Sequence, residues 1–126
     1  MINENKLNLT GYRISKVEMD FEGVPEGNHQ IQLNTMFNVL TPQEESNRNC
    51  IVIVRSEFYQ ENNKKILSAT IRATVEASER SDDIADRIRE EMVPTIYGHL
   101  RDFISALLKE AHIEFIGLPQ YDDLKA

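Results

Sequence analysis

The sequence is poor in the residues that staple, punctuate and catalyse. It has one cysteine, Cys50, and no tryptophan. A lone thiol cannot close an internal disulfide, so nothing asks for an oxidising compartment. Cys50 lies in an apolar run without a local basic partner and reads as a reduced, core or half-buried thiol. Five glycines in 126 residues leave no loop that cradles phosphates, and no serine stands in a nucleophile-elbow pattern. The histidines His29, His99 and His112 have no HExxH spacing and no cysteine beside them, so no metal site is expected. His99 and Asp102, at i, i+3 on a polar helix face, read as a solvated surface pair.

Long apolar runs are also missing. The longest is Ile51-Val52-Ile53-Val54, far short of a membrane span. The opening residues, Met1-Ile2-Asn3-Glu4-Asn5-Lys6, are polar and no apolar stretch follows them, unlike a secretory signal. Positive charge is scarce: 14 basic residues face 21 acidic ones, for a net charge of −7. That average field repels a phosphate backbone, and the densest basic run is the pair Lys64-Lys65, so nucleic acid is not an expected partner. The expectation is a soluble cytoplasmic protein with no membrane insertion, no cofactor and no catalytic residues.

What is present is period and order. Residues 1–80 read as strand and turn, residues 81–111 as helix, with no repeat or linker between them. The first strand covers about 9–22. Val17, Met19 and Phe21 alternate with Glu18, Asp20 and Glu22, the period of a half-buried strand. Tyr12 and Ile14 fall on the opposite parity, and a bulge near Ser15–Lys16 returns them to the same face. Residues 23–28, with two glycines and a proline, form a turn. The second strand covers about 29–40, with Ile31, Leu33, Phe37 and Val39 on one parity. Residues 41–49 form an exposed loop. The third strand, about 50–60, is apolar on both faces in its first half, as expected of a central strand or one shielded by another subunit. Residues 61–64 read as a hairpin connection. In the fourth strand Leu67, Ala69, Ile71, Ala73, Val75 and Ala77 share one face. Its three alanines leave room for a helix to approach closely.

Ser81 is the expected N-cap of a short helix with Ile84, Ile88 and Met92 on one stripe. Pro94 then breaks the chain and opens a second helix over about 94–111. Its apolar residues, Ile96, Tyr97, Leu100, Phe103, Ile104, Leu107, Leu108 and Ala111, span a stripe of roughly 140° at 100° per residue. That width serves either an intrachain core alone or a core plus a second surface. Ile113, Phe115, Ile116 and Leu118 are too apolar for a free tail and read as an extended segment folded over the core; residues 121–124 add a helical turn. Strands followed by helices in one short chain argue for α+β: a four-stranded antiparallel sheet, then a short helix and a long C-terminal helix packed on one face, in a single domain over residues 1–126.

Several local strings resemble the SecB protein-export chaperone family. They are Val93-Pro94-Thr95-Ile96-Tyr97, Leu100-Arg101-Asp102-Phe103-Ile104-Ser105, Leu118-Pro119 and Tyr121-Asp122-Asp123-Leu124. The first strand, Tyr12-Arg13-Ile14 through Asp20-Phe21-Glu22, is similar to that family's opening strand. The resemblance implies a SecB-like fold in a homo-oligomer, dimer or tetramer, with the long helix at the interface through Ile96, Tyr97, Leu100, Ile104 and Leu108. It implies unfolded polypeptide or preprotein partners, held in apolar grooves for which Phe21, Phe37, Phe115, Ile116, Leu118, Tyr121 and Leu124 are candidates. Glu18 and Glu22 match acidic positions through which the family binds the motor SecA; Asp20 extends that set. Two departures weigh against motor coupling: Ala111-His112-Ile113-Glu114-Phe115 replaces the family's Phe-Pro-Pro turn, and few residues follow Leu124 where the family has an extended tail. Relatives of this fold also serve toxin–antitoxin partners, so clients need not be exported proteins. The expected function is therefore a chaperone that holds unfolded polypeptides, with Sec preproteins among its candidate clients. A helix-grip carrier of a small apolar ligand is the alternative, and an enzyme the third reading.

Overall fold

The computed structural model describes residues 6–29, 32–44, 46–60, 63–79 and 81–115. The period-2 segments become strands β1 (Leu7–Met19), β3 (Gln32–Leu40), β4 (Asn49–Tyr59) and β5 (Lys65–Ala77); a short β2 (Gly27–His29) precedes β3. The four long strands form one antiparallel sheet in the order β1-β5-β4-β3. β3, β4 and β5 follow one another as hairpins, and β1 returns to the free side of β5, which is Greek-key order. β4 and β5 are therefore central. This explains why β4 is apolar on both faces: Val52 and Val54 are fully buried beneath the helices, and Ile51 and Ile53 are half-buried on the opposite face.

Tyr12, Ile14, Val17 and Met19 share the helix-facing side because the ladder with β5 shifts register between Ile14 and Lys16. The parity reversal in the sequence placed that bulge correctly. A second shift, between Leu9 and Gly11, was not foreseen. β1 ends at Met19, three residues before the expected end at 22, although the Asp20 N–H still reaches the Ile66 carbonyl at 2.9 Å. Gly23 (φ +79°) and Gly27 (φ +110°) supply the left-handed backbone that the turn requires. At the β4–β5 hairpin the same role falls to Asn63 (φ 65°), with the Gln60 N–H donating to the Lys64 carbonyl at 2.9 Å.

The expected second strand, 29–40, is divided. β2 leaves the main sheet and pairs in parallel with β6 (Ile113–Phe115). The expected extended segment after the helix thus exists over these three residues; residues 116–126, with the proposed last helical turn, lie outside the described residues.

Helix α1 (Ile84–Glu91) begins later than expected. Asp83, not Ser81, is its N-cap, and the Ser81 carbonyl accepts from the Ile84 N–H at 3.3 Å. Met92 ends α1 with its N–H on the Ile88 carbonyl and starts α2 (Val93–Glu110) by accepting from the Ile96 N–H. Pro94 sits in the first turn of α2, where its missing donor costs nothing. α1 packs over β3, and α2 crosses β4 and β5. Ala69, Ala73 and Ala77 are buried on the β5 face that α2 covers, as the small side chains required. Ile96, Leu100, Ile104 and Leu108 fill this interface. Burial of each contributes roughly 1.5–3 kcal/mol.

α2 ends without glycine. His112 adopts φ 57°, the left-handed conformation of a helix C′ residue. The Ala111 and His112 N–H groups bond back to the Leu107 and Lys109 carbonyls at 3.0 and 3.1 Å, and the His112 carbonyl accepts from the Gly27 N–H at 3.0 Å. This reversal delivers Ile113 into the core and joins β6 to β2.

Candidate functional site

The apolar surface divides between the two flanks of α2. On the β3 flank, Phe37 is half-buried on the helix side of an edge strand, and its ring lies 6.3 Å from that of Tyr97 at a tilt of 58°. Leu33 is half-buried two alternations along the same strand face, beyond Thr35. Phe21 and Val24, in the turn after β1, also pack against the core while staying partly open. Of the expected groove residues, Phe21 and Phe37 are thus accessible aromatics on different elements. Phe115 is placed by its backbone opposite His29 in the β2–β6 ladder. Ile116, Leu118, Tyr121 and Leu124 lie outside the described residues.

The α2 residues expected at an oligomer contact are closed off within one chain. Ile96, Tyr97, Leu100, Ile104 and Leu108 are between 0 and 3% exposed within a single chain. The sheet and the flanking elements use this part of the stripe completely, so these side chains cannot meet a second copy unless the core opens. Along its other edge α2 leaves His99, Phe103 and Leu107 half-buried. His99 does not pair with Asp102 as a solvated couple. Its ring stacks on Tyr12 of β1, with centroids 4.1 Å apart and an interplanar angle of 16°. Tyr12 remains 49% exposed and Met19 55%. Because β1 is the other edge of the sheet, this flank combines a free strand edge with an apolar border. Sequence parity placed Tyr12 and Met19 on one face, but only the sheet order showed that face to be open at β1.

The acidic residues do not form one stripe. Glu18 alone lies within β1; Asp20 and Glu22 follow the strand end, where alternation no longer governs direction. Glu18 is paired with Lys16 at 3.1 Å. That hydrogen bond and charge hold its carboxyl below the usual glutamate range. Asp20 lies 3.8 Å from Lys64 and accepts from the Glu22 N–H at 3.1 Å. Deeper in the outer face, Glu57 is buried between Arg55 (3.1 Å) and Lys65 (3.5 Å), and the Arg55 Nε donates to Ser68 at 3.3 Å. This network explains why Ser68, on the polar parity of β5, is nevertheless buried.

A cavity of 460 Å³ lies at the start of α1, away from the α2–sheet contact, between Thr41, Arg48, Cys50, Glu79 and Ser81. Among the described residues no three His, Cys, Asp or Glu side chains gather as metal ligands, and no helix is long and apolar enough to cross a membrane.

No family model and no curated protein matches the chain. Among solved structures it is similar to the Mycobacterium tuberculosis SecB-like chaperone Rv1957, determined in complex with a ChAD peptide from the Rv1956 HigA1 antitoxin. The TM-score is 0.57 at 8% sequence identity, covering 90% of this chain and 88% of that chain. The likeness extends over nearly the whole of both chains, and at this identity it is a likeness of fold: an open four-stranded antiparallel sheet with two helices on one face.

Proposed function

We propose, from the premise of this SecB-like fold, that the protein is a chaperone that holds unfolded polypeptides by covering their apolar side chains, without catalysis, cofactor or metal. The observation that carries the reading is the half-open apolar border beside α2, at Leu33 and Phe37 on the edge strand β3. An extended client segment buries side chains there and adds backbone bonds along the free strand edge. Phe21 belongs to a second contact at the turn after β1. A protein of this fold that is bound to a peptide supports the reading. Cytoplasmic location, a homodimer or homotetramer and preprotein clients are parts of the same proposal. The assembly contact is assigned to the β1 edge with Tyr12, His99 and Phe103, in place of the α2 residues already buried. Docking of SecA through Glu18, Asp20 and Glu22 is the least supported part, since Glu18 and Asp20 each have a lysine partner. Against the ligand-carrier alternative, α2 packs directly on β4 and β5, where a helix grip would enclose its ligand.

The test is aggregation of a chemically unfolded client enzyme, followed by light scattering. A molar excess of the protein is expected to delay aggregation, and Phe37→Asp to weaken the delay while leaving the far-ultraviolet spectrum intact. No delay at any ratio refutes the reading. Mass from multi-angle light scattering tests assembly, with Tyr12→Asp expected to reduce it.

A further inference from the structure

The outer face of the sheet, opposite the helices, carries an unexpected charge pattern for an acidic protein. Arg13 of β1 stands directly opposite Arg72 of β5, and both are exposed. Strand alternation puts both side chains on the outer face, since their neighbours Tyr12 and Ala73 occupy the helix side. Like charges directly opposed across a ladder destabilise it. Neither arginine has an ion pair or hydrogen bond among the described residues. The neighbouring row of the ladder adds Lys16 and Arg55. The nearest outer-face carboxylates on that side, Glu18 and Glu57, are already engaged by Lys16, Arg55 and Lys65. On the other side Glu76 lies equally far along β5, beyond Thr74, and pairs with neither arginine, so among the described residues no carboxylate compensates the Arg13–Arg72 pair.

The surroundings make a seat for an anion. The register shift between Leu9 and Gly11 puts a residue without a side chain beside the pair, and a recess of 240 Å³ opens there between Gly11, Arg13, Arg72 and Thr74. Next to it in the ladder are Ile53, opposite Arg72, and Ile51, opposite Thr74. Both are half-buried, and Leu40 beyond Ile51 is 46% exposed. Two guanidinium forks match carboxylates in bidentate geometry, and the aliphatic rows alongside match apolar side chains.

We infer that this face is a docking surface for an acidic, partly apolar polypeptide segment, separate from the apolar border beside α2. Charge complementarity decides the occupant. A peptide bearing a few carboxylates meets the local cations without a large penalty from the net charge of −7. A nucleic acid, with a charge at every residue, meets that whole field.

Fluorescence anisotropy tests the proposal with a fluorescein-labelled peptide of about ten residues alternating glutamate and leucine, long enough to cross the sheet, and its glutamine–leucine counterpart. The glutamate peptide is expected to bind about tenfold more tightly at low salt, with the preference fading as salt screens exposed charges. Arg13→Gln/Arg72→Gln is expected to bring the two peptides within about twofold while melting no lower than the parent, because a repulsion is removed. Gly11→Val supplies a second variant: a Cβ there meets nothing within 4 Å, so the side chain fills the recess and is expected to weaken the glutamate peptide alone. Equal affinity of the two peptides for the parent, or a preference that survives in the double variant, overturns the proposal. So does tighter binding of an oligouridylate, which reassigns the surface to phosphate. The double variant is expected to keep its delay of client aggregation, so this result and that of the holding assay are read independently.

Discussion

Replacing Ala73 with leucine puts an isobutyl group where a methyl stands between β5 and the helix layer. Ala73 is 1% exposed and lies between Tyr12 of β1 and Val52 of β4 in the ladder. Lateral room is therefore closed on both sides, and relief has to come from α2 lifting off the sheet. α2 is held by Ile96, Leu100, Ile104 and Leu108, all nearly inaccessible, so lifting exposes apolar surface along its length. Overpacking of this kind costs on the order of 1–3 kcal/mol. For a chain of this size that is a drop in melting temperature of roughly 3–15 °C. Urea unfolding followed by circular dichroism should show a lower midpoint at unchanged slope. The control is Glu76→Leu, on the exposed face of the same strand, expected to stay within about 0.5 kcal/mol. An Ala73→Leu midpoint indistinguishable from the control would refute the argument that the alanines of β5 exist to admit α2.

Leu100→Ala should cost about 2–5 kcal/mol by leaving a cavity under α2, and the loss in melting temperature should not change with protein concentration. A loss that grows on dilution would place Leu100 in a subunit contact after all. His112→Gly should raise stability by up to about 1 kcal/mol in chemical denaturation, since glycine takes the left-handed C′ conformation without the cost a side chain carries. Lys16→Met should raise the Glu18 pKa toward that of an ordinary glutamate, read by NMR titration of the side-chain carboxyl. The native pairing lowers that pKa, so its contribution is present above the unfolded value and lost as pH falls through the folded one; the variant should lose that acid-side dependence.

Much of the fold was legible because its signals are local. Alternation on residues 67–77, the parity reversal between Ile14 and Val17, and the proline at 94 each act through neighbours a few residues away. They fixed a strand, a bulge and a helix break close to where the structure has them. Ser81 was a poorer guide: a capping residue names a helix start only if the backbone turns there, and it turns two residues later. The acidic trio at 18, 20 and 22 was read as one face by extending the alternation past the point where β1 ends.

What the sequence by itself determined, then, is the four long strands, the two helices and the apolar faces they carry. What only the tertiary structure decided is which faces meet. The stripe on α2 has the same width whether it fills one core or serves two surfaces, and the four-stranded sheet consumes most of it in one chain. Arg13 and Arg72 are unremarkable as isolated residues, and the β1–β5 register makes them an uncompensated pair. Side-chain period is set by bonds to near neighbours, but partnership across a sheet is set by strand order and register, which no local segment encodes.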